Sequence, residues 1–344
     1  MKIVYVAPLR ENSTASHRMN AIINLNHEVI PINTKSENVL KKQSNLGYRI
    51  LNRIAGQLDP DNINKKVLES LKESDCDILW IDKGLIIKDG TLERVKSMYP
   101  GIMIIGYSPD DMFNPENHSK YFFRGLIYYD LFITNKPGNV EKIKTSGCND
   151  VLLVKNGYDP DIHKPTETTT EEKALLGGAV GFIGAYEKER AEYLKFLTLK
   201  KTDVHIWGEG WPLKTISNLK VENKYLYNEN YSKAICSFDI NLGFLRKASG
   251  DVSTTRSVEI PACGGFMLAE RTQEHLELFK EGEEAEYFTS KNEMLDKTLY
   301  YLKNPEKRKQ IALKGRERCL KSGYSNKEIL ANVFKHIESR HKVN

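Results

Sequence analysis

The sequence has no apolar stretch long enough to cross a membrane. A membrane-spanning helix needs about 20 consecutive apolar residues. The apolar start of the chain, M-K-I-V-Y-V-A-P, is also far too short for the core of a secretion signal. We therefore expect a cytoplasmic protein that makes, at most, peripheral contact with a membrane.

Paired cysteines and a concentrated basic face are missing as well. The five cysteines are scattered without metal-ligand spacing, which predicts free thiols in a reducing compartment; they are Cys76, Cys148, Cys236, Cys263 and Cys319. A net charge of +5 over 344 residues is mild. It suits an anionic nucleotide or an acidic surface, but it disfavours a dedicated nucleic-acid binder.

No G-x-G-x-x-G motif follows the first predicted strand, and this absence disfavours an NAD-binding protein. The composition, with 40% hydrophobic and 28% charged residues, is ordinary for a globular chain and excludes a disordered or fibrous one. A length of 344 residues exceeds the usual size of one domain, so we expect two.

Short apolar runs alternate with longer amphipathic ones, which is typical of parallel sheets with crossover helices. In the first half the predicted strands are Ile3–Ala7, Glu28–Ile32, Asp77–Ile81, Ile102–Tyr107, Leu131–Thr134 and Val151–Lys155. After a turn-rich stretch from residue 156, taken as a linker, the pattern restarts with Val180–Ile183, Val204–Trp207, Ile240–Phe244, Phe266–Ala269 and Ala285–Phe288. The predicted domains are 1–164 and 165–324, followed by a C-terminal helix in 325–344.

The most informative segment is 251–268, D-V-S-T-T-R-S-V-E-I-P-A-C-G-G-F-M-L, which predicts a short helix before a Gly-Gly turn and an apolar strand. A helix N-terminus carries unpaired N–H groups and a partial positive charge, so it can hold a diphosphate. Three small hydroxyl residues suit this end because they can cap the helix and let phosphate oxygens approach; they are Ser253, Thr254 and Thr255.

Two charged residues complete this segment. Arg256 offers a cationic fork for phosphate. Glu259 follows one turn later on the same face, where its carboxylate can accept two hydrogen bonds from a ribose diol. The alternative is an amphipathic helix that carries a structural Arg–Glu pair. The favoured interpretation is a nucleotide-sugar site.

This segment resembles the C-terminal signature of GT-B glycosyltransferases, in which two acids, here Asp251 and Glu259, precede an alanine and a glycine. It is most similar to the spore-maturation-protein-like group, related to retaining family four, through R-S-V-E-I-P-A-C-G-G and the later E-H-L-E-L-F. The resemblance implies an α/β GT-B fold with two Rossmann-like, doubly wound domains facing across a cleft. It also implies a last helix that crosses back to the first domain, and a donor held by the second domain.

The resemblance extends to further donor contacts in the second half. Gly181 and Gly184 bound a turn that lies against the donor diphosphate in the family, and Arg190 matches a nearby basic position. In the loop after Ile240–Phe244, either Arg246 or Lys247 could reach the diphosphate, and Lys247 is favoured. Near the base, the candidates are Gly208 and Tyr227. Each group has a structural alternative. The glycines could form only a tight turn, Arg246 and Lys247 could be a surface charge pair, and the aromatic region around Tyr227 could be core packing.

Candidate catalytic residues lie mainly in the first half. Asp110 and Asp111 follow a predicted strand, where a carboxylate could deprotonate an acceptor hydroxyl, although S-P-D-D is also good turn chemistry. His17 is the competing base or an acceptor contact, and Asp82-Lys83-Gly84, after D-I-L-W-I, is a third candidate. Asp251 would face the donor sugar. Because the many retaining members of this fold need no enzymic base in the same position, the sequence leaves open whether transfer retains or inverts the anomeric configuration.

The resulting hypothesis is a metal-independent glycosyltransferase that moves a sugar from a nucleotide diphosphate donor, with a UDP-sugar favoured. The acceptor would be a sugar, a glycoconjugate or another hydroxyl compound. No cofactor is expected, because Arg256, Lys247 and the helix dipole can neutralise the leaving diphosphate. One alternative is a phage-type DNA-base glycosyltransferase. Another is a non-catalytic partner subunit that binds a nucleotide sugar.

Overall fold

The computed structural model describes residues 1–11, 13–54, 57–117 and 119–341. These residues form two compact units. Unit 1 comprises residues 1–155 together with the chain from residue 330 onwards, and unit 2 comprises residues 156–329. The unit boundary after Lys155 places the turn-rich stretch 156–164 in unit 2, whereas the sequence predicts it to end the first domain.

Unit 1 is built on a six-stranded parallel sheet in the order β2-β1-β3-β4-β5-β6. Its strands are β1 Lys2–Ala7, β2 Glu28–Asn33, β3 Ile78–Asp82, β4 Met103–Ser108, β5 Leu131–Thr134 and β6 Val151–Leu153. The helices between them are α1 Thr14–Ile23, α2 Glu37–Ser44, α3 Leu46–Ile54, α4 Ile63–Glu73, α5 Asp89–Met98, α6 Lys120–Gly125 and α7 Val140–Thr145. Strands β1 and β3 to β5 read as continuous apolar runs because helices cover both faces of the sheet.

The last helix, α15 (Asn326–His341), contributes to the core of unit 1. Its residues Leu330, Val333, Phe334 and Ile337 belong to the same buried cluster as the inward side chains of β1 and β3. The rings of Phe334 and Trp80 lie 6.2 Å apart, centroid to centroid. The amphipathic pattern of this helix is therefore used to close one face of the first sheet.

A buried ion pair joins α1 to the carboxyl end of β3. The guanidinium of Arg18 donates from Nε to Asp82 Oδ2 at 2.8 Å and from Nη2 to Oδ1 at 3.0 Å. The hydroxyl of Tyr5 donates to Asp82 Oδ2 at 3.0 Å, and the Arg18 guanidinium lies over the Tyr107 ring at 4.2 Å. Asp82 therefore serves the packing of unit 1, because its carboxylate is matched by a charge and a hydroxyl within the core.

Unit 2 is built on a second six-stranded parallel sheet, in the order β12-β11-β10-β7-β8-β9. Its strands are β7 Gly178–Ile183, β8 Val204–Trp207, β9 Leu219–Glu222, β10 Phe238–Gly243, β11 Met267–Glu270 and β12 Glu286–Phe288. Its helices are α8 Thr170–Leu176, α9 Lys188–Leu199, α10 Asn228–Ser237, α11 Arg256–Ala262, α12 Gln273–Leu278, α13 Lys291–Lys303 and α14 Pro305–Lys321. The chain reverses direction across the sheet between β7 and β10, and such a switch point opens a crevice for a ligand.

The predicted α/β fold with two Rossmann-like halves is confirmed, and two details differ from the sequence prediction. Strand β9 was not predicted, because its four residues, L-K-V-E, form no apolar run. Helix α8 begins inside the predicted linker, where the Thr169 side chain accepts from the Glu172 N–H and the Glu172 side chain accepts from the Thr169 N–H. This reciprocal cap satisfies two N–H groups at the start of the helix.

We predict that replacing Asp82 with alanine lowers the free energy of unfolding by about 3 to 5 kcal/mol, because the Arg18 charge would stay buried without its partner. Urea unfolding followed by circular dichroism measures this loss. Glu69→Ala is the control, since the exposed Lys65–Glu69 pair in the same unit is worth about 0.5 kcal/mol or less. Equal effects of the two variants would contradict a structural role for Asp82.

Candidate functional site

Charged residues of unit 2 gather at the switch point between β7 and β10. The chain leaves β7 through Gly184 to Glu187 and enters α9, which carries Arg190. It leaves β10 through the loop of residues 244–255, which carries Arg246 and Asp251, before entering α11 at Arg256. Because the carboxyl ends of parallel strands share one edge, residues far apart in sequence meet here.

Arg190 is a buried cation with little compensation. Its side chain is 3% exposed, and Nη1 donates to the Ala185 carbonyl at 3.1 Å. Among the described residues, its Nε and Nη2 have no hydrogen-bond partner, and the nearest carboxylate oxygen, on Glu187, is 3.4 Å from Nη2. Burial and the charge of Arg256 lower the pKa of Arg190 to about 10. An arginine in this state is poised to receive an anion.

Arg256 stands beside Arg190 and adds to the same positive field. Its Nε is buried and also lacks a hydrogen-bond partner within the described part of the chain. Glu187 is the nearby counter-charge; its side chain is 36% exposed, and partial burial raises the pKa of its carboxyl despite the nearby arginines. The two guanidinium groups therefore form a cationic pair whose unsatisfied donors suit the oxygens of a diphosphate.

Arg246 and Asp251 hold the loop after β10. Asp251 is buried, and its Oδ2 accepts from the backbone N–H of Arg246 at 3.3 Å and from Arg246 Nε at 3.1 Å. Lys247, which the sequence favours as the diphosphate contact, is exposed and pairs with Glu189 at 3.1 Å. Of these two neighbouring cations, Arg246 is the one whose charge acts on Arg190. The preference for Lys247 is thus not supported by the contacts of either side chain.

The three hydroxyl residues before α11 do not cap it, so this part of the prediction is wrong. Thr255 is the N-cap residue, but its side chain makes no capping hydrogen bond. The Ser253 hydroxyl donates to Glu274 and accepts from Asn156 Nδ2 at 2.9 Å. The Thr254 N–H donates to the Ser257 hydroxyl at 3.0 Å. The Ser253 side chain thus fixes the loop to distant segments, while the Thr254 N–H is satisfied locally by Ser257.

A chain of hydrogen bonds ties the start of α11 to α12. His275 Nδ1 lies 2.6 Å from the Glu270 carbonyl, which can only accept, so Nδ1 carries the proton. His275 Nε2 then accepts from the Ser257 hydroxyl at 2.7 Å. Burial lowers the pKa of His275, which keeps the ring neutral. The sequence analysis missed this pair, which orients the Thr254 N–H through Ser257.

Glu259 is buried on α11 between two partners from other parts of unit 2. The Tyr231 hydroxyl donates to its Oε2 at 2.5 Å, and His163 Nε2 lies 3.7 Å from its Oε1. His163 Nδ1 accepts from the Asp159 N–H, so Nε2 carries the proton that faces Glu259. Burial alone would raise the pKa of Glu259, but His163, Tyr231 and Arg256 together lower it. The sequence analysis missed His163 because it lies in the stretch assigned to the linker.

The glycines of this site serve close packing. Gly208 has φ +141°, and a Cβ there would lie 2.1 Å from the Gly184 carbonyl oxygen. At Gly181 a Cβ would overlap the Phe238 ring, at 2.2 Å. Trp211 reinforces the first approach by donating from Nε1 to the Gly184 carbonyl at 2.9 Å. The loops after β7 and β8 are thus packed together. This packing fixes where α9, which carries Arg190 in its first turn, begins.

Tyr227 lies at the start of α10 and is exposed. Its ring is 6.0 Å from that of Tyr225, which is also exposed. The alternative interpretation, that these tyrosines belong to the core, is therefore wrong. Their part in binding a nucleotide base remains a prediction.

In unit 1 the predicted catalytic residues differ in their contacts. Asp110 is buried, and its Oδ2 lies 2.5 Å from Lys83 Nζ. Asp111 Oδ1 accepts from the Phe113 N–H at 3.0 Å, which is the turn chemistry weighed as its alternative. His17 is buried on α1. Of these residues, Asp110 has a cation beside its carboxylate, while Asp111 has a structural task.

Unit 1 also contains a cavity of about 310 Å³ at the carboxyl ends of β1, β2 and β3. Its lining includes Lys35, Val39, Gln43, Asn52, Asp82 and Lys83. Burial lowers the pKa of Lys35, and the charges of Arg10 and Lys83 lower it further. Many of the residues that line the cavity are apolar, and Lys35 and Lys83 make it positively charged along one side.

Residues 190–335 match the model of a family described as glycosyl transferase-like. No curated protein matches the chain. The chain is similar in structure to HepE from Anabaena, solved with UDP and glucose, with a TM-score of 0.68 at 13% identity over 98% of this chain and 100% of that one. It is also similar to sucrose-phosphate synthase from Thermosynechococcus elongatus, with a TM-score of 0.67 at 9% identity and full coverage of both chains.

A third similar structure is an α-glucosyltransferase solved with UDP and a 13-mer DNA, with a TM-score of 0.65 at 12% identity over 97% of this chain and 98% of that one. These likenesses confirm the GT-B fold. The finer resemblance to the spore-maturation-protein-like group stays a prediction. No helix in the described ranges is long and apolar enough to span a membrane.

We predict that Arg190→Met stabilises the protein without ligand by about 1 to 2 kcal/mol, because it removes a buried charge next to Arg256. Thermal unfolding in the absence of nucleotide measures this gain. Arg308→Met is the matched control in the same unit, since Arg308 is also buried but bonds to Asp239 and the Tyr301 carbonyl. That variant should lose about 1 to 3 kcal/mol. A loss of stability in both variants would contradict the conclusion that the buried charge of Arg190 is poorly compensated.

We also predict opposite pH dependences for two carboxyls, the buried Glu259 and the partly exposed Glu187. The lowered pKa of Glu259 means that its stabilising effect is present above the ordinary value of 4.5 and is lost as the pH falls below it. The stability difference between wild type and Glu259→Gln should therefore shrink in acid. The raised pKa of Glu187 means that its charged form destabilises the folded protein. The free energy of unfolding of wild type should therefore fall relative to that of Glu187→Gln as the pH rises above 4.5. Urea titrations at several pH values test both.

Proposed function

We propose that the protein is a glycosyltransferase that takes its sugar from a nucleotide diphosphate donor bound to unit 2, with UDP-sugars favoured. The neighbouring cations Arg190, which is buried, and Arg256, whose Nε is buried, carry this proposal, because both have guanidinium nitrogens without a hydrogen-bond partner among the described residues. Like charges this close are unfavourable without an anion, and a diphosphate supplies the missing charge. The glycosyl transferase-like match of residues 190–335 and the UDP complexes of similar structures support it.

In the proposed reaction, the bond between the anomeric carbon and the diphosphate oxygen breaks while an acceptor oxygen bonds to that carbon. Negative charge grows on the leaving diphosphate, and Arg190 and Arg256 stabilise it through charge-assisted hydrogen bonds. We assign Arg246 to the same field. Because these cations come from the chain itself, we propose that transfer needs no metal.

We propose that Glu259 receives the ribose. Its Oε2 can accept a second hydrogen bond besides the one from Tyr231, and its Oε1, which lies 3.7 Å from His163 Nε2, can also accept from a ribose hydroxyl. Those two residues would then act as positioning residues, since they orient the carboxylate without touching the ribose. We propose that Asp251 sets the shape of the loop that faces the donor sugar, because its carboxylate accepts hydrogen bonds from Arg246.

The acceptor would bind to unit 1, and the cavity beside Lys83 is the proposed place for it. Asp110 is the preferred candidate for the base, because Asp111 already holds a turn. Lys83, whose Nζ lies 2.5 Å from Asp110 Oδ2, also lines the proposed cavity.

The first test is a thermal-shift panel of UDP, GDP, dTDP, CDP and ADP, with UMP as a ligand that lacks the second phosphate. A ligand at a hundredfold excess over its Kd should stabilise wild type by about 2.7 kcal/mol. Arg190→Met should keep its fold but weaken the binding of the preferred diphosphate by about tenfold to a hundredfold, since a charge-assisted hydrogen bond is lost. UMP should bind weakly to both proteins.

Lys309→Met serves as the control for loss of a positive charge, because Lys309 is exposed on α14 and pairs with Glu306. No shift with any diphosphate, or an equal shift in Arg190→Met, would refute the donor site. Release of the diphosphate from its sugar in the presence of candidate acceptors then separates the alternatives. Donor binding without release would favour the non-catalytic partner subunit, while transfer to hydroxymethylated DNA would favour the DNA-base enzyme.

A further inference from the structure

Helix α3 in unit 1 exposes three apolar side chains. Leu46, Ile50 and Leu51 are 68%, 52% and 53% exposed. Its polar residue Asn52 faces the protein, where Oδ1 accepts from the Leu58 N–H at 2.8 Å and Nδ2 donates to Gln57 at 3.2 Å. A surface helix normally buries its apolar side, so this arrangement leaves an apolar face without a partner in the described structure.

The exposed residues share one side of the helix. Successive residues of an α-helix are turned by about 100°, so positions 46, 50 and 51 fall within an arc of about 140°, whereas position 52 lies outside it. Single exposed leucines are normal on protein surfaces. A group of three on one face indicates a surface that binds another protein or a membrane.

The charge of the surrounding segment indicates which of these two it binds. Residues 35–53 contain five basic residues and one acid, a net charge of +4 in a chain whose total is +5. Lys41 and Lys42 are exposed at the end of α2, next to the start of α3. Two nearby acids are engaged in hydrogen bonds within the protein: Asp59 accepts from the Ile63 and Asn64 N–H groups, and Asp61 is bonded to Ser36 and Asn38 at the opposite end of α2. An apolar face flanked by basic residues complements an anionic lipid surface.

We propose that the exposed face of α3, formed by Leu46, Ile50 and Leu51, docks the protein onto an anionic lipid bilayer. The apolar side chains enter the boundary between head groups and acyl chains, and Lys41 and Lys42 contact anionic head groups. The helix lies in the plane of the surface and does not cross it.

Docking would also place the proposed acceptor site close to the bilayer, an inference that rests on the glycosyltransferase function proposed above. Helices α2 and α3 also contribute Val39, Gln43 and Asn52 to the wall of the unit 1 cavity. A helix with its side chains is about 10 Å across. The cavity would therefore lie within about that distance of the head groups, and the acceptor would be a hydroxyl carried by a lipid-anchored molecule.

The test is flotation of the whole protein with phosphatidylcholine vesicles, with and without phosphatidylglycerol, at low and high salt. Wild type should float with the anionic vesicles and lose most of this binding at high salt. The triple variant Leu46→Ser, Ile50→Ser, Leu51→Ser should bind them about tenfold more weakly or worse. Its matched control is Leu199→Ser, Leu313→Ser, Leu320→Ser, three exposed leucines on helices of unit 2, which should float like wild type.

A second variant gives a positive signal even if the triple variant folds poorly. The three native tryptophans, Trp80, Trp207 and Trp211, are all buried, so Ile50→Trp adds an exposed indole on the docking face. Its emission should shift to the blue when anionic vesicles are added. Wild type should show no such shift.

Three results would overturn the proposal. The first is that wild type floats with neither kind of vesicle. The second is that the α3 triple variant and the control triple variant float with anionic vesicles to the same extent. The third is a dimer in sedimentation that the α3 variant dissolves, which would assign this face to a second copy of the chain. The thermal shift with UDP is measured on the same α3 variant, so a failure of lipid docking is distinguished from a failure of donor binding.

Discussion

The mutual repulsion of Arg190 and Arg256 is the constraint on which the site in unit 2 depends. Several contacts at the switch point hold the backbone that carries one of them. Gly208 packs on Gly184 to set the turn before Arg190, and Ser257 with His275 fixes the turn before Arg256. Such a fold keeps an unfavourable electrostatic arrangement because the rest of the unit is well packed, and an anion can then bind without reorganisation of the site.

The two units place buried arginines at corresponding edges of their sheets but treat them differently. In unit 1, Arg18 meets Asp82 in a bidentate pair and is further covered by Tyr107. In unit 2, Arg190 donates to one backbone carbonyl, that of Ala185, and its nearby carboxyl is Glu187, whose own pKa is raised by burial. The first arrangement stabilises the core, whereas the second leaves donors available. The same residue type at similar depth therefore supports packing in one unit and ligand binding in the other.

Much of the fold was predictable because its signals are local. A strand covered on both faces by helices is a short apolar run, and most strands of both sheets could be located in this way. Strand β9 was missed because L-K-V-E lies at the edge of its sheet and alternates too briefly. Helix α8 was missed although Thr169 and Glu172 have capping-box spacing, because its polar neighbours suggested a linker.

The candidate site was predictable in its residue types and only partly in its contacts. By itself the sequence determined the order of the elements and the presence of Arg190, Arg256 and Glu259 after strands or on helices that meet at one edge. Tertiary structure decided which charges are compensated: the partners of Glu259 come from His163 and Tyr231, and the partner of Arg308 from Asp239. The physical reason is that electrostatic and hydrogen-bond energies depend on separation in space, which the fold sets for residues far apart along the chain.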